Sequence, residues 1–186
     1  ANVIIPTGTS VVYDRGVGGP VTSAVMNNGN LSFNLSSAAT IGMPISGLGG
    51  VTIGNTGAVT LNGSNSYSGG TSLNAGSSLI VGNSAAIGLP NLTSNGSINN
   101  PASLTMADGV ILSYLNISSG AVKLLSDVTT SGTQRYSNVL IGSPSGAISL
   151  QSTNANILFA GTIDSASAKT QSLTINAGTG VVTLSD

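Results

Sequence analysis

The chain has 186 residues and contains no Cys, His, Trp or Glu. The absence of Cys excludes disulfide bonds and thiolate metal sites. Charged residues make up 5% of the sequence, against about 25% in an average globular domain. With four basic residues and a net charge of -1, the chain has little to neutralise phosphates, so we expect neither nucleic-acid binding nor attachment to an anionic membrane.

The apolar content argues against a disordered chain and against a membrane-spanning one. Hydrophobic residues make up 40% of the sequence, which is enough to build a buried core. No apolar run reaches the roughly 18 to 20 residues of a spanning helix. We therefore expect a folded segment that does not insert into a membrane and that owes its solubility to Ser, Thr and Asn.

Carboxylates are few and isolated along the chain. They are Asp14, Asp108, Asp127, Asp164 and Asp186. Catalytic sites usually need at least two cooperating groups, and a Ser nucleophile needs a base that this composition does not offer. We expect no enzymatic activity, no cofactor and no metal site. The charges at Asp14 and Arg15, and at Lys123 and Asp127, are interpreted as solvated or locally paired turn charges, which contribute little to stability.

A short phrase recurs from residue 50 onward: a turn residue followed by apolar, polar and apolar residues. Alternate residues of a strand point to opposite faces, so each phrase buries two aliphatic side chains and exposes a polar one. The phrase stands at residues 50–53, 58–61, 103–106, 121–124, 147–150, 172–175 and 181–184. Strands this short cannot bury their apolar face alone.

The spacing of the phrases predicts how they are covered. Apolar pairs recur about 25 residues on, as in Leu79 to Leu104, Ile148 to Leu173 and Ile157 to Val182, which is the behaviour of a structural repeat. We predict a right-handed parallel β-helix (a β-solenoid) of about seven rungs, in which each strand lies on its equivalent one rung below at ~4.8 Å.

This coil would form a single elongated domain. We expect residues 1–49 to be its initial rungs or an N-terminal cap, and residues 50–186 to be the repeat array. Cut in mid-array, a parallel coil exposes unpaired strand edges, so we also expect the array to continue beyond Asp186 in a longer protein.

An antiparallel β-sandwich stays open as the alternative fold. Asn-Gly pairs are typical of two-residue hairpin turns, and they occur at Asn28-Gly29, Asn62-Gly63 and Asn95-Gly96. Short strands at regular intervals are also common in sandwiches. The longer period of the apolar pairs favours the coil.

The stretch from Gly57 to Gly88 carries the most specific pattern. A Gly-led strand is followed by the turn Asn-Ser-Tyr-Ser-Gly-Gly-Thr at 65–71, a strand that ends in Asn-Ala-Gly at 74–76, and a third that closes on Gly82. This order resembles the passenger-associated transport repeat, or autotransporter-associated β-strand repeat, of large Gram-negative surface proteins. The resemblance implies structural motif roles for Gly57, Leu61, Asn65, Tyr67, Gly69, Gly70, Thr71, Asn74, Gly76, Leu79, Gly82 and Gly88.

A second resemblance covers residues 127–186. The segments 132–137 (Gly-Thr-Gln-Arg-Tyr-Ser), 157–164 (Ile-Leu-Phe-Ala-Gly-Thr-Ile-Asp) and 172–178 (Ser-Leu-Thr-Ile-Asn-Ala-Gly) are similar to repeats of very large haemagglutinin-like adhesins. Arg135 departs from the Thr that is usual in those repeats.

Both resemblances imply an exported bacterial passenger or stalk, structural and adhesive, that lies outside the cell or on its surface. It would be anchored to the outer membrane through a region outside this chain, and its folding would assist outward transport. The implied partners are a host, cell-surface or matrix ligand, or copies of the chain, including end-to-end self-association. The alternative function is a self-assembling extracellular fibre or surface-layer subunit.

Tyr67, Tyr114 and Tyr136 are the candidate surface contacts, because Tyr can stack on sugars or proteins while offering a hydroxyl. For Tyr67 the structural alternative is packing over the Gly69-Gly70 turn that follows it.

Outward polar side chains suggest two further arrangements. Equivalent Asn residues of successive rungs could form hydrogen-bonded ladders. A flat Thr row could bind ice, and its candidates are Thr52, Thr60, Thr105, Thr174 and Thr183.

Overall fold

The computed structural model describes residues 3–13, 23–54, 57–89, 91–95, 100–166 and 171–185. Asp14, Arg15, Gly96 and Asp186, which figure in the expectations above, lie outside the described residues. In the described ranges the chain is all β, with no helix. None of these residues forms a helix long and apolar enough to cross a membrane.

Each turn of the chain contributes to up to three faces. The strands of face 1 are β2 (Ser10–Tyr13), β4 (Asn30–Asn34), β7 (Gly50–Gly54), β9 (Thr71–Leu73), β11 (Asn91–Ser94), β14 (Leu115–Ile117), β17 (Gln134–Tyr136), β20 (Ile157–Phe159) and β23 (Val182–Leu184). The strands of face 2 are β5 (Ala39–Ile41), β8 (Ala58–Leu61), β10 (Ser78–Val81), β12 (Ala102–Met106), β15 (Ala121–Leu124), β18 (Asn138–Ile141) and β21 (Ile163–Ser165).

Face 3 is divided into two sheets. Its first sheet contains β1 (Val3–Ile5), β3 (Val25–Asn27) and β6 (Ile45–Ser46). Its second contains β13 (Ile111–Leu112), β16 (Val128–Thr130), β19 (Ala147–Ser152) and β22 (Ser172–Asn176). Between them, the face-3 segments that follow β8 and β10 contain no strand in their described residues.

Every strand pairing among the described residues is parallel and joins successive turns, as in the pairs β8–β10, β14–β17 and β19–β22. The prediction of a parallel β-solenoid of about seven turns is confirmed, and the antiparallel sandwich is wrong. Asn28-Gly29 lies at the corner between β3 and β4, and Asn62-Gly63 follows β8. These Asn-Gly pairs turn the chain from one face to the next and do not form hairpins.

The turn length is not uniform, which corrects the single repeat period predicted from the sequence. On face 2, Ile41 pairs with Leu61, and Leu61 pairs with Val81. The number of residues between equivalent positions of successive turns is therefore smaller here than the predicted number. Inward positions must align from turn to turn, whereas the corners between faces accept extra residues. The predicted step is confirmed for three pairs of register partners: Leu79 with Leu104, Leu150 with Ile175, and Ile157 with Val182.

The interior consists of stacked aliphatic columns. In one column on face 2, Val59, Leu79, Leu104, Leu124 and Ile141 follow one another through the ladder, and all are buried. Burying such a side chain stabilises the fold by about 1.5–3 kcal/mol. The strand alternation of the sequence therefore becomes a continuous core along the coil axis.

The described part of residues 1–49 belongs to the same coil. Strand β4 pairs with β7, and β5 pairs with β8, in parallel registers like those used elsewhere. The ladder is thus continuous across the expected boundary between residues 49 and 50.

Candidate functional site

The motif from Gly57 to Gly88 spans parts of two stacked turns. Strands β8 and β10 both belong to it, and they pair with each other, Val59 opposite Leu79 and Leu61 opposite Val81. The motif therefore contributes to the core of more than one turn. Leu61 and Leu79 are buried members of neighbouring turns, and Thr71 also points inward and is buried.

The glycines of the motif stand at close approaches and turns. A Cβ atom at Gly69 would lie 2.5 Å from the carbonyl carbon of Gly49, and one at Gly57 would lie 2.4 Å from the Ser37 carbonyl oxygen. A Cβ at Gly82 would lie 2.6 Å from the Asn62 Oδ1 atom. Gly70 and Gly76 have positive φ angles of 76° and 71°. These positions set the corners of the coil.

Asn65 joins three successive turns on face 3 through its buried side chain. Its Oδ1 atom accepts a hydrogen bond of 2.8 Å from the backbone N–H of Ile45, and its Nδ2 group donates to the carbonyl oxygen of Ala86. Its own N–H donates to the Ala85 carbonyl at 3.0 Å. Where face 3 has no strand ladder, one amide side chain thus satisfies backbone groups of the turns on either side.

Tyr67 lies inside the coil and is fully buried. Its hydroxyl is 2.6 Å from the Oγ1 atom of Thr71. A Cβ at Gly88 would lie 3.2 Å from two ring carbons of Tyr67 and 2.5 Å from its carbonyl oxygen. Burial raises the pKa of the Tyr67 hydroxyl well above its usual range, and the hydrogen bond with Thr71 opposes that rise. Tyr67 is not a surface contact, which corrects that expectation, and it packs beneath Gly88 of the next turn.

Tyr136 is buried as well, so its assignment as a surface contact is also wrong. Its ring stacks on Phe159 with the centroids 5.3 Å apart and the planes at 16°. Its hydroxyl donates to the Gln134 Oε1 atom at 2.7 Å, and Gln134 Nε2 donates to the Gln151 carbonyl at 2.7 Å. Burial raises the pKa of the Tyr136 hydroxyl far above its usual value.

Asn residues form hydrogen bonds between turns on the outside. Asn95 Nδ2 donates to Asn74 Oδ1 at 3.3 Å, and Asn116 Nδ2 donates to Asn91 Oδ1 at 3.2 Å. The expectation of Asn ladders is confirmed for these two pairs.

The expected Thr row is not formed. Thr52 and Thr183 lie on face 1, Thr60 and Thr105 on face 2, and Thr174 on face 3. A flat ice-binding array of these residues is therefore wrong.

Tyr114 is the one of the three candidate tyrosines that remains accessible, and it lies in a surface groove of about 590 Å³. We define the face-1 groove by Asn91, Tyr114, Asn116, Thr133 and Arg135, which line it at the corner where the chain enters face 1. Asn91, Asn116 and Arg135 are register partners on three successive strands. A Cβ at Gly132 would lie 2.6 Å from the Ser113 carbonyl oxygen, so the corner requires a glycine there.

The face-1 groove continues along the coil axis. A second depression of about 240 Å³ shares Asn91 and extends over Gly70 and Gly50 to Asn30. At the two Gly positions no side chain projects into it. Tyr114 was predicted from the sequence as a surface contact, and Arg135 was recognised as a departure from the usual repeat. The stacking of Asn91, Asn116 and Arg135 could be recognised only from the strand register.

The acidic side chains that the structure describes lie away from the face-1 groove. Asp108 and Asp127 line a separate groove of about 600 Å³ between faces 2 and 3, together with Ser126, Ser143 and Ser145. Asp127 Oδ1 accepts a hydrogen bond of 2.7 Å from the Ser149 N–H. Among the described residues no group of three or more His, Cys, Asp or Glu could hold a metal ion.

Comparisons of this chain with models of protein families, with curated proteins and with solved structures give no match. Its function must therefore be inferred from the coil and its surface.

Proposed function

We propose that this chain is an exported bacterial surface module, structural and adhesive, that holds or forms a contact region away from the cell. The supporting observation is the continuous stacking of face 1, in which the described residues form nine parallel strands that follow one another. At ~4.8 Å a step, nine strands span roughly 38 Å along the axis. Charged residues make up only 5% of the sequence, so amides and hydroxyls supply most of the polar groups outside, which suits a stalk that presents polar faces to a ligand.

The proposal includes a part in transport. A solenoid folds by adding turns to a stacked neighbour, so a chain that emerges unfolded and coils outside cannot easily return. Its extracellular position and its anchoring through a region outside this chain belong to the same proposal. The partner is a host, cell-surface or matrix ligand.

Surface display tests the adhesive role. The chain is fused to an outer-membrane translocator and displayed on a non-adherent bacterium, and adherence to epithelial cells and to extracellular matrix is counted. We expect more adherence than with the translocator alone at equal surface amounts. Equal adherence of the two strains would contradict the adhesive role and leave only a structural one.

The competing proposal is a self-assembling fibre or surface-layer subunit. It is favoured by exposed apolar side chains on the outermost described strands, among them Ile4, Val12 and Leu184, which are 65%, 58% and 65% exposed. Sedimentation at several concentrations separates the two proposals. The sedimenting mass of a fibre subunit increases with concentration because the subunits assemble, whereas an adhesive stalk does not need to assemble.

A further inference from the structure

We propose that the face-1 groove is a binding site for a carboxylate-bearing polysaccharide laid along the coil axis, with Arg135 as the residue that recognises the carboxylate. This inference rests on the proposed adhesive role and names the chemical class of its ligand.

The charges of the described residues favour an anionic ligand at this groove. Arg135 is exposed on β17, and no described side chain forms an ion pair with it. None of the described residues that line the groove and its extension is acidic. Asp108 and Asp127 line the other groove, and Asp164 lies on face 2, where its carboxylate accepts from the Ser165 N–H. A guanidinium without a carboxylate of its own can bind a ligand carboxylate through two parallel hydrogen bonds.

The remaining lining suits a sugar. Tyr114 is half-exposed at the groove wall, and an aromatic ring beside hydroxyl and amide groups offers a stacking surface with hydrogen bonds around it. Asn91 accepts from Asn116 through its Oδ1 atom, and the N–H groups of its exposed side-chain amide can donate to ligand hydroxyls. Thr133 adds a hydroxyl on the same wall.

The shape favours a polymer over a compact ligand. Asn91, Asn116 and Arg135 succeed one another at the strand spacing of ~4.8 Å, and the shared lining residue Asn91 joins the groove to the depression over Gly70 and Gly50. The volume of about 590 Å³ lies within the range of about 300–1,000 Å³ that ligand sites occupy. A linear polysaccharide can therefore extend from Arg135 toward Asn30, because the two glycines have no side chain that would block it.

Titration of the purified chain with polygalacturonate tests the proposal, and the methyl-esterified polymer serves as the neutral control. We expect binding to polygalacturonate that is weakened about tenfold or more by Arg135→Gln, since hydrogen bonds to charged groups are the stronger class. Arg135→Lys keeps the charge but loses the two-pronged geometry, so its affinity should fall between that of the unsubstituted chain and that of Arg135→Gln. Tyr114→Ala should weaken binding by about threefold to tenfold.

Lys123→Gln is the matched control, because it removes the same charge from face 2, where the Lys123 stem lies over Gly142. We expect less than a twofold change. Equal losses for Arg135→Gln and Lys123→Gln, equal binding of the esterified polymer, or no binding of polygalacturonate would each overturn the proposal. Thermal midpoints equal to that of the unsubstituted chain exclude misfolding as the cause of a loss.

A dextran sulfate arm distinguishes carboxylate from sulfate recognition, and tighter binding of the sulfate that persists in Arg135→Gln would overturn the carboxylate assignment. The adhesion assay separates this site from the broader role. Adherence that is equal for the unsubstituted chain and Arg135→Gln would overturn the role of this groove and leave the adhesive role standing. Polygalacturonate binding without adherence would contradict the adhesive role alone.

Discussion

The motif turns, residues 57–89, and the C-terminal turns, residues 111–176, close the same coil in different ways. In the motif turns the described residues of face 3 form no strand, and the Asn65 side chain joins the backbones of neighbouring turns. In the C-terminal turns face 3 is a parallel ladder of β13, β16, β19 and β22. The first arrangement concentrates its hydrogen bonds in one residue, whereas the second distributes them along a strand.

This difference explains why the motif turns carry the more specific sequence pattern. A single side-chain amide can form hydrogen bonds with two neighbouring turns only if the backbone conformation at the corner is fixed. That conformation requires Gly at positions such as Gly69 and Gly88, where a Cβ atom would clash with a neighbouring turn. The strand pairing of a ladder is made by backbone groups, so its turns tolerate varied length. The step between the register partners Leu124 and Ile141 is accordingly much shorter than the step between Leu150 and Ile175.

Asn65→Ala should produce the largest effect. It leaves the Ile45 N–H and the Ala86 carbonyl without their partner, and each buried unsatisfied group costs about 1–3 kcal/mol. We expect the free energy of unfolding, measured in urea, to fall by about 2–5 kcal/mol. The matched amide in the ladder region is Gln151, whose side chain is exposed on β19. A loss for Gln151→Ala as large as that for Asn65→Ala would contradict the contrast between the regions.

Gly88→Ala and Gly109→Ala compare a crowded corner with an open one. Both glycines have positive φ, 59° and 75°, but a Cβ at Gly88 would lie 2.5 Å from the Tyr67 carbonyl oxygen, whereas a Cβ at Gly109 would meet nothing within 4 Å. We expect a loss of about 2–4 kcal/mol for Gly88→Ala, and about 1–2 kcal/mol, the backbone cost alone, for Gly109→Ala. Thermal unfolding measures both, and similar losses would show that crowding at Gly88 is relieved elsewhere.

Removal of the two buried hydroxyls compares the polar interiors. Tyr136→Phe leaves the Gln134 Oε1 atom without its donor, so we expect a loss of about 1–3 kcal/mol in the free energy of unfolding. Tyr67→Phe should cost about 1 kcal/mol, the net contribution of one hydrogen bond between neutral groups. A larger loss for Tyr67→Phe than for Tyr136→Phe would reverse this ranking.

Alkaline pH should affect both regions by a smaller amount. The folded pKa values of Tyr67 and Tyr136 are raised, so the unfolded chain loses these protons first. The contribution of the two protonated Tyr hydroxyls to the free energy of unfolding is fully present below about pH 10. Above that pH the free energy of unfolding falls, by at most about 1.4 kcal/mol per pH unit for each Tyr. Thermal midpoints between about pH 8 and 11 check this, and the fall should be shallower in each Tyr→Phe variant. A slope unchanged in both variants would contradict it.

The coil was predictable because strand phrases and their recurrence at a long period are visible in the sequence, as for Leu79 and Leu104. The smaller number of residues per turn between Leu61 and Val81 could not be predicted. Each turn contains more than one such phrase, and the sequence does not distinguish a phrase on face 1 from a phrase on face 2. Equivalent positions become recognisable only when the backbone pairs them.

The site residues divide in the same way. The corner glycines and Asn65 belong to a local pattern, so the sequence could mark them. The buried Tyr136 hydroxyl donates to Gln134, and Gln134 donates to the Gln151 carbonyl in the next turn. These contacts cannot be predicted from the polar run Gln-Arg-Tyr, because they join residues of different turns. The stacking of Asn91, Asn116 and Arg135 across turns likewise depends on the register.

Cysteine cross-linking tests the stacked coil and its register most directly, because the chain has no Cys of its own. Thr60 and Ile80 are register partners on β8 and β10, and partners at ~4.8 Å lie within disulfide reach. We expect rapid disulfide formation in the variant with Cys at 60 and 80, and none in the matched variant with Cys at 60 and 85, which has the longer spacing predicted from the sequence. Cross-linking of 60 to 85, with 60 and 80 remaining reduced, would contradict the account.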